Sequence, residues 1–427
     1  MARTEEHSEH APAKERLPDV GLLEIVGQDS AVAQLEQGLG GARRPHAYIF
    51  AGPQGVGRRT TAVAIAKTLL CERPKIIANK DARRPSLAAA PANTPMATNN
   101  VAMPTRFADL APDFELRQAC GVCGDCKVFA GGSHPDFHLV YKELAAYHED
   151  SAVRDRVMQE LGIPVIRSFL IEAAARRAAR GRGKVFVVLE AELMSAAAQN
   201  ALLKTLEEPP PGVTIILVAE QPEQLLPTTL SRCRMVRFGL LPHEFVARKL
   251  QEQGAPPHEA AFWAAFTDGS VGRAARLRAR GMYEVKTDMI ARIAAMNRAG
   301  DADLGEDLHK KTESLAEDLI KATRTEQTEM SKSLAVRQTT GMMLELIAAA
   351  YRDAITLASQ APREIVYTDQ RPAVAALAAK FDLVQLASII EQLSELERIL
   401  WRNVNAKNVW YNVVITCASA APLTVGE

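Results

Sequence analysis

One stretch constrains the fold of this chain more than any other: an apolar run that opens into a glycine loop and leaves it as a helix. Ala47-Tyr48-Ile49-Phe50-Ala51 is short and wholly apolar, so it reads as a buried strand. Gly52-Pro53-Gln54-Gly55-Val56-Gly57-Arg58-Arg59 follows, and Thr60 to Leu70 has helical spacing with no breaker. That order is the context of a phosphate-binding loop, G-x-x-x-x-G-K-[ST]. In such a loop backbone N–H groups cradle phosphates, the Lys reaches the β/γ-phosphates and the hydroxyl holds Mg²⁺. Here Gly52, Gly55 and Gly57 remain, but Arg58 replaces the Lys and Arg59 replaces the hydroxyl residue. A guanidinium is bulkier than an ammonium and has fixed fork geometry, so the exchange is not conservative. Arg59 also puts a cation where the metal is held. The loop reads as that of a nucleotide hydrolase that no longer hydrolyses nucleotide, although its N–H groups can still hold an anion.

The chain has 427 residues, which predicts about two to three domains. Lys+Arg and Asp+Glu are both 51, so bulk charge makes no case for autonomous nucleic-acid binding. Met1 to about Leu17 is polar and charged, with no apolar centre, and is expected to be neither a signal peptide nor an anchor. No run approaches the roughly 18 apolar residues that span a bilayer. The expectation is a cytoplasmic protein, where clustered cysteines read as metal ligands or redox centres.

Residues 1–20 read as a disordered tail and 21–240 as an α/β domain. Strands are expected at His138–Tyr141, Lys184–Leu189 and Val213–Ala219. Leu22–Leu39 reads as a short entry segment and an amphipathic helix, and further helices are expected at Val165–Arg177 and Ser195–Glu207, the last stopped by Pro209-Pro210-Pro211-Gly212. Strands alternating with helices imply a parallel sheet covered on both faces. Between about 75 and 112, Pro, Ala, Asn and Arg dominate, and the segment reads as a disordered insertion. Three short helices follow within 241–285, and 286–427 is helical throughout.

A nucleotide site also needs a second strand that ends in Asp-Glu, the Asp for the metal and the Glu for the attacking water. The strand Val185-Phe186-Val187-Val188 ends in Leu189-Glu190. The metal-holding carboxylate has become Leu189, and Glu190 without a metal has little charge to act against. Cys120-Gly121-Val122-Cys123-Gly124-Asp125-Cys126 is C-x₂-C-x₂-C, and Cys71 at the end of the post-loop helix supplies a fourth thiolate. Four soft thiolates suit tetrahedral Zn²⁺. An iron–sulfur site of the C-x₂-C-x₂-C-x₃-C-P kind wants a cysteine where Ala130 stands. A zinc-thiol redox sensor is a further alternative, but no electropositive nucleophile lies nearby in sequence. His134 and His138 are competing ligands. Cys233 and Cys417 lie outside the cluster and read as free buried thiols. Arg176, Arg177, Arg180, Arg182 and Lys184 form a basic cluster that is either a DNA contact or a solvated helix end.

Several segments together resemble the bacterial DNA polymerase III clamp-loader subunits of the AAA+ superfamily. They are Val26-Gly27-Gln28, His46-Ala47, Asn200 to Pro210, Leu225 to Arg234, Gly269-Ser270-Val271-Gly272-Arg273-Ala274, and Arg402-Asn403-Val404-Asn405-Ala406-Lys407. The resemblance covers nearly the whole chain except the tail and the insertion. It implies an α/β AAA+ fold (a P-loop NTPase-like parallel sheet) with an inserted zinc module, a small helical lid at 241–285 and a C-terminal helical collar at 286–427. It implies structural zinc on Cys71, Cys120, Cys123 and Cys126. It makes Arg232, in Ser231-Arg232-Cys233, an arginine finger that reaches a neighbour's ATP site, and Arg273 a former nucleotide sensor turned to domain packing. His134-Pro135-Asp136 resembles a family segment outside the metal site. Implied partners are the gamma/tau motor subunits, the delta subunit, the sliding clamp and primer-template DNA, with no membrane. The degraded loop points to a non-hydrolysing member that is not an enzyme by itself. The alternative is an ATP-hydrolysing motor subunit with a variant loop.

Overall fold

The computed structural model describes residues 17–41, 44–82, 107–154, 160–297, 302–324, 331–402 and 404–419. Residues 1–16 of the expected tail, 83–106 of the expected insertion, and Asn403 lie outside them. Two units divide the chain, Met1–Pro242 and His243–Glu427.

Among the described residues, seven strands belong to the first unit: β1 (Ala47–Ala51), β2 (Lys75–Ala78), β3 (Glu115–Gln118), β4 (Phe137–Val140), β5 (Lys184–Val188), β6 (Val213–Ala219) and β7 (Arg234–Arg237). Five of them form a parallel sheet in the order β4-β5-β6-β1-β7. Successive side chains of a strand face opposite ways, and here both directions are buried. Ala47, Ile49, Ala51, Phe186, Val188, Ile215 and Leu217 enter one apolar cluster, while Tyr48, Phe50, Val185, Val187, Ile216 and Val218 enter another. The first cluster is closed by α4 (Ala196–Glu207) and the helical stretch 163–175, the second by α1 (Asp29–Gly40) and α2 (Arg58–Leu70). Full burial of such a side chain contributes about 1.5–3 kcal/mol. All seven residues of β6 are buried, so the middle of the sheet is the anchor of this unit.

Two expectations need correction. The stretch 163–175 is not one regular helix, because its central turn, Arg167–Ile171, is widened to a π-type turn. The flanks of the 75–112 segment are ordered: β2 pairs antiparallel with β3, from Lys75 opposite Gln118 to Ala78 opposite Glu115. Leu116, fully buried, packs with Ile77, Phe114 and Leu23, and that small core orders the ribbon despite its charged sequence.

The described regular elements of the second unit are all helices: α5 (His243–Glu252), α6 (Pro257–Phe266), α7 (Val271–Ala279), α8 (Met282–Ala295), α9 (Ala302–Arg324), α10 (Lys332–Ala358), α11 (Arg371–Lys380), α12 (Leu383–Leu400) and α13 (Ala406–Ser419). A lysine sits in its interior. Lys286 is fully buried, and its Nζ lies 4.0 Å from the ring centre of Phe262, 4.4 Å from that of Tyr283 and 5.3 Å from that of Tyr367. Asp369 supplies the counter-charge and also accepts a hydrogen bond from Tyr283 Oη at 2.7 Å. Burial pushes the Lys286 pKa down, opposed by Asp369.

Candidate functional site

The glycine loop has the backbone that its sequence demands. Gly52, Gly55 and Gly57 have φ of 148°, 77° and 104°, a region that favours glycine. A Cβ on Gly52 would lie 2.3 Å from the carbonyl oxygen of Phe238, so this position also needs glycine for space. Gln28 buttresses the loop. Its Nε2 donates to Val56 O at 3.2 Å and to Gly239 O at 2.8 Å, and its Oε1 accepts from Gly239 N at 3.0 Å. This amide ties the loop to the chain leaving β7, a role that sequence alone does not disclose because the partners are 211 residues apart.

Arg58, the first residue of α2, is buried, and its Nη1 has no hydrogen-bond partner. Burial pushes its pKa down, against the opposing charges of Glu220 and Glu192. Arg59 follows on the same first turn and is partly buried. At the end of β5, Leu189 packs into the apolar cluster that contains Val56 and α2. Glu190 has the left-handed φ of 49°, unusual for a side-chain-bearing residue. Its carboxylate pairs with Lys142 Nζ at 3.1 Å. The hydroxyl, the ammonium and the metal carboxylate of a hydrolytic loop are thus absent from their positions, and the remaining Glu is held by a lysine.

Arg232 is partly exposed on the turn that joins the short helix Pro227–Leu230 to β7. Its Nε donates to Glu207 Oε1 at 2.6 Å, and its Nη2 meets the same oxygen. Its Nη1 donates to Thr228 O at 2.9 Å and to Ser231 Oγ at 3.3 Å. Gln199, buried on α4, ties down the short helix that precedes this turn: its Oε1 accepts from Leu226 N at 2.8 Å and Thr229 Oγ1 at 3.2 Å. In the second unit, Arg273 pairs with Glu345 and lies 5.4 Å from the ring centre of Phe266, so its guanidinium is engaged in packing within that unit.

Cys71, Cys120, Cys123 and Cys126 come together, with all four Sγ atoms within 4.8 Å of one another. Cys71 caps the C-terminus of α2, and Cys123 caps the N-terminus of α3 (Gly124–Ala130). Four sulfurs at about 2.3 Å from a tetrahedral zinc lie about 3.8 Å apart. The Cys71–Cys123 and Cys120–Cys126 separations are 3.8 and 3.9 Å. Backbone N–H groups of Cys120, Cys123 and Cys126 donate to the sulfurs of Cys71, Cys120 and Cys123 at 3.3, 3.3 and 3.4 Å, which orients them and favours thiolates. Such bonds, from Val122 first, hold the Cys120 thiol down at about 6, whereas burial pushes Cys71 and Cys126 up. Donor set and spacing fit a closed metal site. His134 is not part of it: its Nε2 lies 3.7 Å from Asp125 Oδ1, and its Nδ1 accepts from Asp136 N at 3.2 Å. His138 stacks on Phe186 at 4.6 Å, and burial pushes its pKa down to about 4. Cys233 and Cys417 are both raised to about 12 by burial.

The basic cluster divides. Arg180 Nε pairs with Asp125 at 3.0 Å, and Asp136 accepts from the backbone of Ala179 and Arg180 at 2.7 and 2.8 Å. Lys184 is buried and donates to Ala173 O at 2.6 Å. Arg176, Arg177 and Arg182 are exposed.

Two family models match the chain. One, described as "DNA polymerase III, delta subunit", covers residues 92–241, and the other, described as "DNA polymerase III, delta subunit, C terminal", covers 306–409. The chain is 31% identical over 258 residues to DNA polymerase III subunit delta' of Pseudomonas aeruginosa, covering 59% of this chain and 62% of that one. It is 24% identical over 373 residues to DNA polymerase III subunit delta' of Bacillus subtilis, covering 87% of this chain and 91% of that one. To DNA polymerase III subunit tau of Escherichia coli it is 29% identical over 230 residues, covering 54% of this chain and 27% of that one. The chain thus spans less than two thirds of the Pseudomonas relative and about a quarter of tau.

Proposed function

We propose, on the premise that this chain belongs to the bacterial DNA polymerase III clamp-loader family, that it acts there as a non-hydrolysing delta-prime subunit. Its own loop keeps the glycine backbone of a phosphate loop but has lost the groups that transfer a phosphoryl. Its contribution to turnover is Arg232, offered to the ATP site of a neighbouring gamma/tau-type motor subunit. A guanidinium there stabilises charge on the transferring phosphoryl group and is worth about 10³–10⁵ in rate. The observation that carries this reading is the contrast between two arginines. Arg58 is buried in its own loop, and Leu189 occupies the position of the metal carboxylate, whereas Arg232 stands partly exposed on the turn after a short helix that Gln199 ties down.

The remaining roles follow from this assignment. The subunit joins motor and delta subunits through its C-terminal helices, helps place the sliding clamp on primer-template DNA, and works in the cytoplasm. Leu383, Val384, Trp401 and Ile415, with Val384 78% exposed, leave apolar side chains uncovered on or beside α12 and α13, which supports a partner surface there. Among the described residues no single helix is long and apolar enough to cross a membrane. Zinc is the metal we assign to the cysteine cluster. Cys71, Cys120, Cys123 and Cys126 would fill all four positions, so the ion would brace the module and leave none open for substrate.

The test assembles the clamp-loader complex with Arg232→Ala and measures DNA-dependent ATP turnover. A loss of at least a hundredfold is expected, while the isolated wild-type chain hydrolyses no ATP above background with Mg²⁺. Unchanged turnover in the complex removes the finger role. Robust hydrolysis by the isolated chain replaces the reading with that of a motor subunit carrying a variant loop.

A further inference from the structure

At the end of the sheet opposite the glycine loop, the chain entering β1, β5 and β6 borders an open cleft of about 420 Å³. It continues into a neighbouring hollow of about 240 Å³. Arg44, Arg117 and Arg182 line both, and His46 and Lys184 line the larger one. No aspartate or glutamate is among the lining residues of either. The backbones of Gly183 and Gly212 approach so closely here that a Cβ on Gly183 would lie 2.2 Å from Gly212 O. This contact fixes Arg182 and Lys184 at the rim.

Two of the five basic groups are already satisfied. His46 Nε2 donates to Leu206 O at 2.8 Å, and Lys184 Nζ to Ala173 O. The three guanidinium groups are not: among the described residues none of them has an ion-pair partner, and Arg117 Nε is buried with no hydrogen-bond partner. Gathering three like charges around one volume is unfavourable unless an anion shares it. A carboxylate presents two oxygens, whereas a phosphate presents three to several planar forks at once.

We infer that this cleft is a second anion site of the chain, distinct from the glycine loop, and that it takes a phosphate group, either free or on the end of a nucleic-acid strand. Arg117, the most enclosed of the three, makes the central contact, and Arg44 and Arg182 close on it from the rim. The cleft lies in the size range of small-ligand pockets, so it accommodates a diphosphate or a single phosphorylated nucleotide unit.

Titration calorimetry at low ionic strength tests this on the full chain, with inorganic pyrophosphate, inorganic phosphate and sulfate as probes. Saturable pyrophosphate binding, tighter than that of sulfate, is expected. Arg44→Gln, Arg117→Gln and Arg182→Gln should each weaken it roughly tenfold, the effect of removing one charged hydrogen-bond donor. Arg177→Gln, an exposed arginine that lines neither hollow, should leave it unchanged. Because Arg44 and Arg182 are exposed, their variants report on binding even if Arg117→Gln disturbs the fold. An oligonucleotide that binds only when it carries a 5′-phosphate would make the strand end the source, and pyrophosphate binding without such a preference would make it a free phosphate. The inference is overturned by an absence of saturable binding, by binding that follows Arg59 and not Arg44 or Arg182, or by an acidic peptide that displaces pyrophosphate at equal concentration.

Discussion

Arg232 spends its donors within its own subunit, and the strength of that contact sets a measurable limit. For the guanidinium to reach a phosphoryl group on a neighbour, Glu207 must release it. The two side chains are 31% and 47% exposed, which places the pair among surface ion pairs worth about 0.2–1 kcal/mol. At 1.4 kcal/mol per factor of ten, release costs a factor of about 1.4 to 5. Glu207→Gln therefore raises the DNA-dependent ATP turnover of the assembled complex by at most about fivefold. The gain shrinks as salt screens the pair in the wild type. Arg232→Ala lowers turnover by orders of magnitude, and adding Glu207→Gln to it changes nothing more. Steady-state hydrolysis across a salt series, with primed DNA present, measures all three variants. If Glu207→Gln instead cuts turnover a hundredfold, the carboxylate is aiming Arg232 rather than competing for it, and the reasoning fails.

Metal analysis of freshly purified protein should find one zinc per chain, and Cys123→Ser should lose it along with the fold of the module; iron, or no metal, would refute the assignment. In the second unit, Asp369→Asn strands the buried Lys286 charge and should destabilise by about 3–5 kcal/mol, while adding Lys286→Met should recover much of that loss. All three tryptophans, Trp263, Trp401 and Trp410, lie in that unit, so their fluorescence during urea unfolding isolates the effect. His138 supplies a pH dependence. Its folded pKa of about 4 lies below the unfolded value of about 6.5, so its contribution is present above pH 6.5 and is lost as pH falls towards 4. At about 1.4 kcal/mol per unit this amounts to up to about 3.5 kcal/mol, and His138→Leu should flatten that part of the stability profile of the first unit.

The central strands were readable because every residue of β1, β5 and β6 is buried, which forces near-continuous apolar runs. β7 escaped notice for the opposite reason: it is an edge strand in which Arg234 and Arg237 flank only Met235 and Val236. β2 and β3 carry Lys75, Glu115 and Arg117, and only one face of their ribbon is covered, so their composition resembles a loop. The glycine loop, the Leu189-Glu190 strand end and the Cys120-Cys123-Cys126 run were legible because each is a local pattern whose spacing encodes its geometry. Gln28 against Gly239, Lys286 against Asp369, Asp136 against Arg180 and the convergence of Arg44 with Arg182 were not. Each joins residues tens to hundreds of positions apart, and nothing in either local sequence names its partner.

The β2–β3 ladder has a consequence for how this chain can vary. Pairing Ala78 with Glu115 brings the chain back to where it left, so the body of the domain meets a closed hairpin base whatever lies beyond it. The free-energy penalty of a longer excursion then rises only with the logarithm of its length. A change in the length of that excursion is therefore expected to cost the fold of the domain little.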